Sequence, residues 1–414
     1  MVTSLRTQCC IAGGGPAGMM LGFLLARAGV EVIVLEKHKD FLRDFRGDTI
    51  HPSTLELMAE LGEIDRFLTL PHQKVETLSA VFGEREIQVA DFRHLPTHCK
   101  FIAFMPQWDF LNFLHDTGRR YPTFRVMMET EAEGLIHEDG EICGVTAATP
   151  NGPVEISADL VVAADGRRST LREQAGLMIE DLGSPIDVLW FRMRRHPTGK
   201  PESMGRFGQG YLLVQINRGD YWQCAFVIHK GGFDAVQAAG LEAFRQTIAT
   251  ILPESRSEVQ TLESWEQIKL LTVQVDRLKQ WWEPGLLCIG DAAHAMSPIG
   301  GVGINLAIQD AVAAANEIAL PLREGRLQTE HLSRVQARRS FPTKMTQRVQ
   351  VFMQDAILSA VLDSRETVEP PLAVRMIDDL PYLSRFPARL VGMGLRPEHI
   401  RTPDAFAEPS APAG

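Results

Sequence analysis

The stretch Cys10-Ile11-Ala12-Gly13-Gly14-Gly15-Pro16-Ala17-Gly18 constrains this chain more than any other part of it. Gly13, Gly15 and Gly18 fit G-x-G-x-x-G, and the flanking residues supply the setting that gives the pattern meaning. Gln8 to Ala12 reads as an apolar strand, Ala17 to Ala28 as a helix, and Glu31 to Glu36 as a second strand. This opening implies a parallel sheet with crossover helices. The glycines permit a tight turn, close backbone approach to a pyrophosphate, and close packing of helix on strand. The helix that starts at Pro16 offers backbone N–H groups to phosphates from Ala17 onward. Glu36 ends the second strand about 20 residues on, where a carboxylate can accept from a ribose, and Lys37 borders the same edge.

Composition excludes several classes. The chain has 414 residues, enough for two domains or one elaborated domain. A formal net charge of −10 with no basic stripe argues against a nucleic-acid partner. The six cysteines form no C-x-x-C pair, so neither a disulfide framework nor a zinc site is expected, and a cytoplasmic location is. The first thirty residues look superficially like a secretory signal, but the glycine cluster and the strand after it fit a folded unit better. No apolar run is long enough for a transmembrane segment.

Farther along, residues 75–100 read as irregular β structure and Met105 to Arg120 as a helix. Short strands fill 124–164, with a turn at Asn151-Gly152. Residues 186–229 form an antiparallel block, turning at Asn217-Arg218-Gly219-Asp220. Leu241 to Ile251 is helical, Trp281 to Gly290 is a last strand, and an Ala-rich helix covers Ile304 to about Leu320. The remainder is helical, then Pro-rich. There is no internal repeat.

Two more segments carry chemistry. Asp159 to Ser169 is an apolar strand that ends in Asp165-Gly166 and runs into a helix. Gly285 to His294 is a strand delivering Asp291, followed by Pro298, Gly300, Gly301, Gly303, Ile304 and Asn305. A carboxylate there suits the hydroxyls of a ribityl chain. The new helix start places partial positive charge where a reduced flavin gathers negative charge.

In order and spacing, these three segments resemble the single-component flavoprotein monooxygenases of the para-hydroxybenzoate hydroxylase type. Arg46-Gly47-Asp48-Thr49-Ile50-His51-Pro52 and Met105-Pro106-Gln107 add to the likeness, which runs over about residues 7 to 320. The resemblance implies FAD. Gly13, Gly15 and Gly18 would hold its pyrophosphate and Glu36 its adenosine ribose, with Arg46 and Gln107 along the dinucleotide. Asp165 would bridge to FAD, Asp291 would bind ribityl or pyrophosphate oxygens, and Pro298 to Asn305 would border the isoalloxazine.

The resemblance also implies that NADH or NADPH reduces the flavin and that dioxygen adds at C4a. The hydroperoxide then hydroxylates a small aromatic or otherwise electron-rich substrate. Candidates for substrate activation are Arg192, Tyr211, Gln223 and His229 in the antiparallel block, with His51, Asp48 and His294 near the expected flavin edge. Period-2 alternation puts Tyr221, Gln223, Ala225, Val227 and His229 on one face. Trp222, Cys224, Phe226 and Ile228 share the other, more apolar face, expected to be core or pocket wall.

The resulting expectation is an α/β fold: a Rossmann-like FAD-binding domain with an inserted antiparallel-sheet substrate domain and C-terminal helices. The FAD-binding domain is expected over 1–75, 100–180 and 270–325, the substrate domain over 76–99 and 181–269, and the helical C-terminal region over 326–414. No metal is expected, and a homodimer is left open. An FAD-dependent reductase or dehydrogenase on this scaffold is an alternative, as is a redox-silent flavin- or ligand-binding protein. A halogenase is disfavoured because its Trp-x-Trp-x-Ile-Pro motif is missing.

Overall fold

The computed structural model describes residues 3–42, 49–195, 204–355, 359–364 and 368–407. The chain opens with β1 (Thr3–Ala12), α1 (Pro16–Arg27) and β2 (Val32–Leu35), followed by α2 (Pro52–Glu60), α3 (Gln107–Gly118), β3 (Phe124–Met127) and β4 (Gly152–Ala163). It leaves this layer for β5 (Ile186–Arg194), β6 (Tyr211–Asn217), β7 (Tyr221–His229) and α4 (Leu241–Ile251). It returns through β8 (Asp276–Leu278) and β9 (Leu286–Cys288), and continues into α5 (Gly303–Arg323), α6 (Thr329–Met353) and α7 (Arg385–Gly392).

The first sheet runs β9-β4-β1-β2-β3, all parallel. Its central strand β1 is buried on both faces, which is why Cys9, Cys10 and Ile11 form a continuous apolar run rather than an alternation. One face packs on α1, α3 and α5 through residues such as Met19, Phe110 and Ile308. The other covers Val145, Leu171 and Trp281. Two antiparallel strands, Glu131–Glu138 and Glu141–Thr149, extend this sheet from β4, and the hairpin between Glu141–Thr149 and β4 turns at Asn151-Gly152.

The second sheet has seven strands, drawn from residues 77–91 and 186–271. Most pairings are antiparallel, but Met204–Gly208 runs parallel to Thr77–Phe82 and joins the two stretches. The fold is therefore the α/β architecture that the sequence implies. Among the described residues, no helix is long and apolar enough to cross a membrane.

One expected element differs. Trp281 to Gly290 does not form one strand: Trp282–Glu283 folds back antiparallel on β9 around Pro284-Gly285. Gly285 has φ +80°, and a Cβ there would lie 1.9 Å from the Ile142 carbonyl oxygen, so only glycine makes this turn.

Candidate active site

The three glycine and aspartate segments meet at the carboxyl ends of β1, β4 and β9, where open α/β sheets bind ligands. Gly13 donates its N–H to the Leu35 carbonyl at 2.9 Å and has φ +110°. A Cβ at Gly13 would lie 2.2 Å from the Ala164 oxygen, and one at Gly18 would lie 2.0 Å from the Gly13 oxygen. These two glycines allow β1, β4 and α1 to close up. Gly15 differs, since nothing lies within 4 Å of its Cβ position. It caps α1 without a side-chain partner, with Pro16 in the first turn, so the N–H groups beside Ala17 are available to an anion.

Glu36 is buried at the end of β2 and accepts the His38 N–H at 2.9 Å. It lies against the middle glycine of the turn: a Cβ on Gly14 would stand 2.9 Å from its Oε2. Gly14 was not among the expected site residues, and the signal for it was a glycine at the unspecified position between Gly13 and Gly15. Lys37 points outward, 3.4 Å from Glu131.

Asp165 follows β4. Its Oδ2 accepts the Leu171 N–H at 3.4 Å, and its buried Oδ1 has no partner among the described residues. Burial pushes the carboxyl above its usual range, and the Ser169 hydroxyl and nearby backbone N–H groups pull it part of the way back. Two residues on, Arg167 donates through Nε to Asp291 Oδ2 at 3.0 Å. Arg172, buried, donates to the Ala292 carbonyl at 3.0 Å and to the Arg167 carbonyl at 2.8 Å. The second and third segments are thus clamped by two arginines. Sequence reasoning passed over Arg167, although it lies within the Asp165 segment.

After Asp291 the chain passes Pro298 and turns at Gly300 and Gly301, with φ of +76° and +61°. Asn305 in the first turn of α5 fixes this loop, donating to the Thr49 carbonyl at 3.1 Å. Its Oδ1 accepts the Thr54 hydroxyl at 2.7 Å and the His51 N–H at 2.9 Å. Gly303 and Ile304 begin α5, which again lacks a side-chain cap. A Cβ at Gly290 would lie 3.1 Å from Ala17 Cβ, which brings this loop onto the first glycine turn. Gln107 opens α3, half-buried. Arg46 and Asp48 lie outside the described residues.

The activation candidates are scattered. The His51 ring is sealed from solvent; its Nδ1 lies 2.7 Å from the Val391 carbonyl of α7, which as an acceptor places the proton on Nδ1. A ring with no accessible atom cannot touch substrate in this arrangement, so His51 positions α7 against the Asn305 junction. His294 is 1% exposed, with Nε2 2.5 Å from Asp310 and its ring 5.0 Å from that of Trp281. It belongs to a buried ionic cluster behind the loop. Tyr211 packs with the core that α4 covers, and His229 is exposed, 3.4 Å from Asp363. Arg192 is exposed beside the Tyr221 ring, 4.8 Å from its centroid.

Among the described candidates, only Gln223 is both buried and on the face turned toward the glycine loop. Ala225, Val227 and Leu212 on that face pack with Ile299, whereas Trp222, Cys224, Phe226 and Ile228 pack under α4. The more apolar face is therefore core, and the face with Gln223 is the one that packs toward the glycine loop. Gln223 Oε1 accepts from Arg218 Nε at 2.9 Å, and the Arg218 guanidinium lies 5.7 Å from the Phe104 ring centroid. Arg218 was legible only as part of a turn; hairpin pairing brings it over Gln223.

Burial lowers the His51 pKa from 6.5 to about 4, against a smaller opposing pull from the Val391 carbonyl. The unfolded state therefore binds the proton more tightly. The stability this contributes is complete above pH 6.5 and is lost as pH falls toward about 4. The full difference is on the order of 3 kcal/mol. Tm should fall between those pH values more steeply in the native chain than in His51→Asn, which keeps a donor for Val391. Parallel Tm profiles would refute it.

Residues 6–349 match the FAD binding domain family. The chain is 33% identical over 356 residues to 6-methylpretetramide 4-monooxygenase of Streptomyces rimosus, covering 86% of this chain and 85% of that one. It belongs to the FAD-dependent monooxygenase family. It is also 29% identical to a dialkyldecalin synthase of Streptomyces rugosporus, covering 73% of this chain and 63% of that protein. Its fold is similar to that of a probable FAD-dependent monooxygenase from Pseudomonas aeruginosa, with a TM-score of 0.71 and 22% identity over 86% of this chain and 97% of that one. The uncapped starts of α1 and α5, the open Gly15 turn and the Asp291 carboxylate fit the phosphates and ribityl hydroxyls of FAD.

Proposed function

We propose that this monooxygenase uses NADH or NADPH and dioxygen to hydroxylate an aromatic, polyketide-type small molecule. The observation that carries this reading is the placement of an apolar sheet face (Leu212, Ala225, Val227) against Ile299 of the glycine loop, which this reading sets beside FAD. The similarity to a 6-methylpretetramide 4-monooxygenase supports the substrate class. Bound FAD supplies two-electron redox chemistry and activation of oxygen. The balance is RH + O2 + NAD(P)H + H+ giving ROH + H2O + NAD(P)+.

In this reading Gly13, Gly15 and Gly18 receive the pyrophosphate, Glu36 the adenosine ribose, and Asp291 the ribityl chain, exchanging part of its pairing with Arg167 for ligand hydroxyls. Asp165 borders the approach of NAD(P)H, which binds transiently because the one G-x-G-x-x-G turn is taken by FAD. Arg218 and Gln223 act on the substrate. A phenol ordinarily titrates near pH ~10, and bringing it to ~7 requires about 4 kcal/mol, within reach of one desolvated cation. Arg218 is that cation.

A second reading, flavin held without oxygen turnover, is motivated by the relative named a dialkyldecalin synthase. Oxygen consumption separates the two. NAD(P)H oxidation should be slow without substrate and yield peroxide. A suitable polycyclic phenol should accelerate anaerobic flavin bleaching by about tenfold, a barrier change of about 1.4 kcal/mol. No substrate-dependent oxygen uptake with either nucleotide, across a panel of such phenols, would remove the hydroxylase reading.

A further inference from the structure

Two short helices near the C-terminus, Leu372–Asp379 and α7, both lie over the strand Arg85–Asp91, joined through residues 381–384. Their inner sides are accounted for. Val374 packs toward Phe82 and Ile87, and Ala388 and Val391 pack toward Phe92 and Phe104. Their outer sides are not. Leu372 is 69% exposed, Met376 48%, Leu380 42%, Tyr382 57% and Phe386 67%. Large apolar side chains are normally exposed singly; five from fifteen consecutive residues, on one two-helix layer, form a patch.

Charge decides what the patch fits. The chain as a whole carries −10, yet from Leu380 to Pro397 it has Arg385, Arg389 and Arg396 and no Asp or Glu. Arg385 and Arg389 are exposed on the same helix as Phe386. The acids that precede them are mostly engaged: Asp378 pairs with Arg85 at 2.6 Å and Glu369 with Arg375 at 3.4 Å, which leaves Asp379. Aromatic and aliphatic side chains beside arginines, on helices lying flat over a sheet, are the pattern of an interfacial anchor. Screening limits the opposing pull of the distant acids, because the Debye length is only about 8 Å at physiological salt.

We propose that this face docks on an anionic lipid surface, with Leu380, Tyr382 and Phe386 entering the headgroup layer and Arg385 and Arg389 meeting lipid phosphates. An anionic bilayer suits the patch better than a folded partner, because its apolar side chains stand largely exposed beside Arg385 and Arg389 on short helices that lie over the sheet. The same helix α7 touches the glycine loop that, on the proposed function, borders FAD: its Val391 carbonyl holds His51, and the Val391 side chain lies 4.0 Å from the Cβ position of Gly300. Docking would bring lipid to the outer side of a helix whose inner side borders the site.

The test is co-sedimentation of the FAD-loaded full chain with phosphatidylcholine vesicles, with and without phosphatidylglycerol. The native protein should pellet with the anionic vesicles, remain in the supernatant with the neutral ones, and be released by high salt. Arg385→Gln should weaken the partition by about fivefold, as one basic side chain at such a surface is expected to do. Tyr382→Ser with Phe386→Ser should weaken it by at least about tenfold. All these side chains are exposed, and unchanged flavin absorbance verifies that the variants fold. The proposal is overturned if the native chain pellets with neither vesicle or the variants pellet like the native chain. It is equally overturned if the aromatic variants instead convert a dimer to a monomer by light scattering, which would assign the face to a second copy.

Discussion

An Arg339→Met variant should lose about 3–5 kcal/mol of stability, the cost expected when one partner of a buried ion pair is removed and the other is stranded. Arg339 is 1% exposed and Asp310 wholly buried, with Arg339 Nε 2.9 Å from Asp310 Oδ1. Glu398, 3% exposed, lies 3.4 Å from Arg339 Nη1 and also accepts from Arg338 at 2.7 Å. Burial alone would raise the Asp310 carboxyl, but His294 and Arg339 beside it hold it below its usual range. Its ionised form is therefore favoured, and the variant would leave that charge with only His294 and the Gly290 N–H, 3.2 Å from Oδ2. Urea unfolding should show a lower midpoint with an unchanged slope. Adding Asp310→Asn should return part of the loss, because the stranded charge goes with it. A loss below about 1 kcal/mol would mean that water or rearrangement satisfies the carboxylate, and that Asp310 does not depend on its pairing with Arg339. Because Gly290 precedes Asp291, the same variant should also loosen the flavin.

The second large effect separates two glycines that the sequence motif treats alike. Gly13→Ala should abolish the folded flavoprotein. Its Cβ would meet a backbone oxygen at 2.2 Å, and its φ of +110° is open to few residues besides glycine. Overpacking of this kind costs about 1–3 kcal/mol even where side chains can yield, and here the neighbour is the backbone of β4. Gly15→Ala should fold as well as the native chain, since its Cβ would meet nothing. It should nevertheless lose FAD affinity, because the added methyl occupies open space proposed for the pyrophosphate. Circular dichroism and the ratio of visible flavin absorbance to protein test both. A Gly15→Ala protein that retains full flavin affinity would show that the open space at this turn is not where the phosphates bind.

Local patterning in the sequence was sufficient for the parallel layer. The apolar run before Gly13, the acid at Glu36 and the strand ending at Asp165 are short-range signals, each fixed by steric or hydrogen-bonding needs of a few neighbouring residues. They were enough to set strand, turn and helix in order. The hairpin at Pro284-Gly285 was equally local but went unread, because the apolar residues around it outweighed two turn residues.

The orientation of the antiparallel sheet was beyond reach for a different reason. Alternation along β7 separates Gln223, Ala225 and Val227 from Trp222, Cys224 and Phe226, but it is symmetric and does not say which set faces what. Helix α4 took the more apolar set as core, and Ile299, distant in sequence, met the other. Similarly, His51 and His294 stood out as titratable residues near motifs, yet both side chains turned inward to Val391 and Asp310. The sequence by itself determined the glycine turns proposed to hold FAD, because each is a local steric solution. Tertiary structure alone decided which polar side chains reach the site, because burial and pairing depend on contacts between segments far apart in the chain.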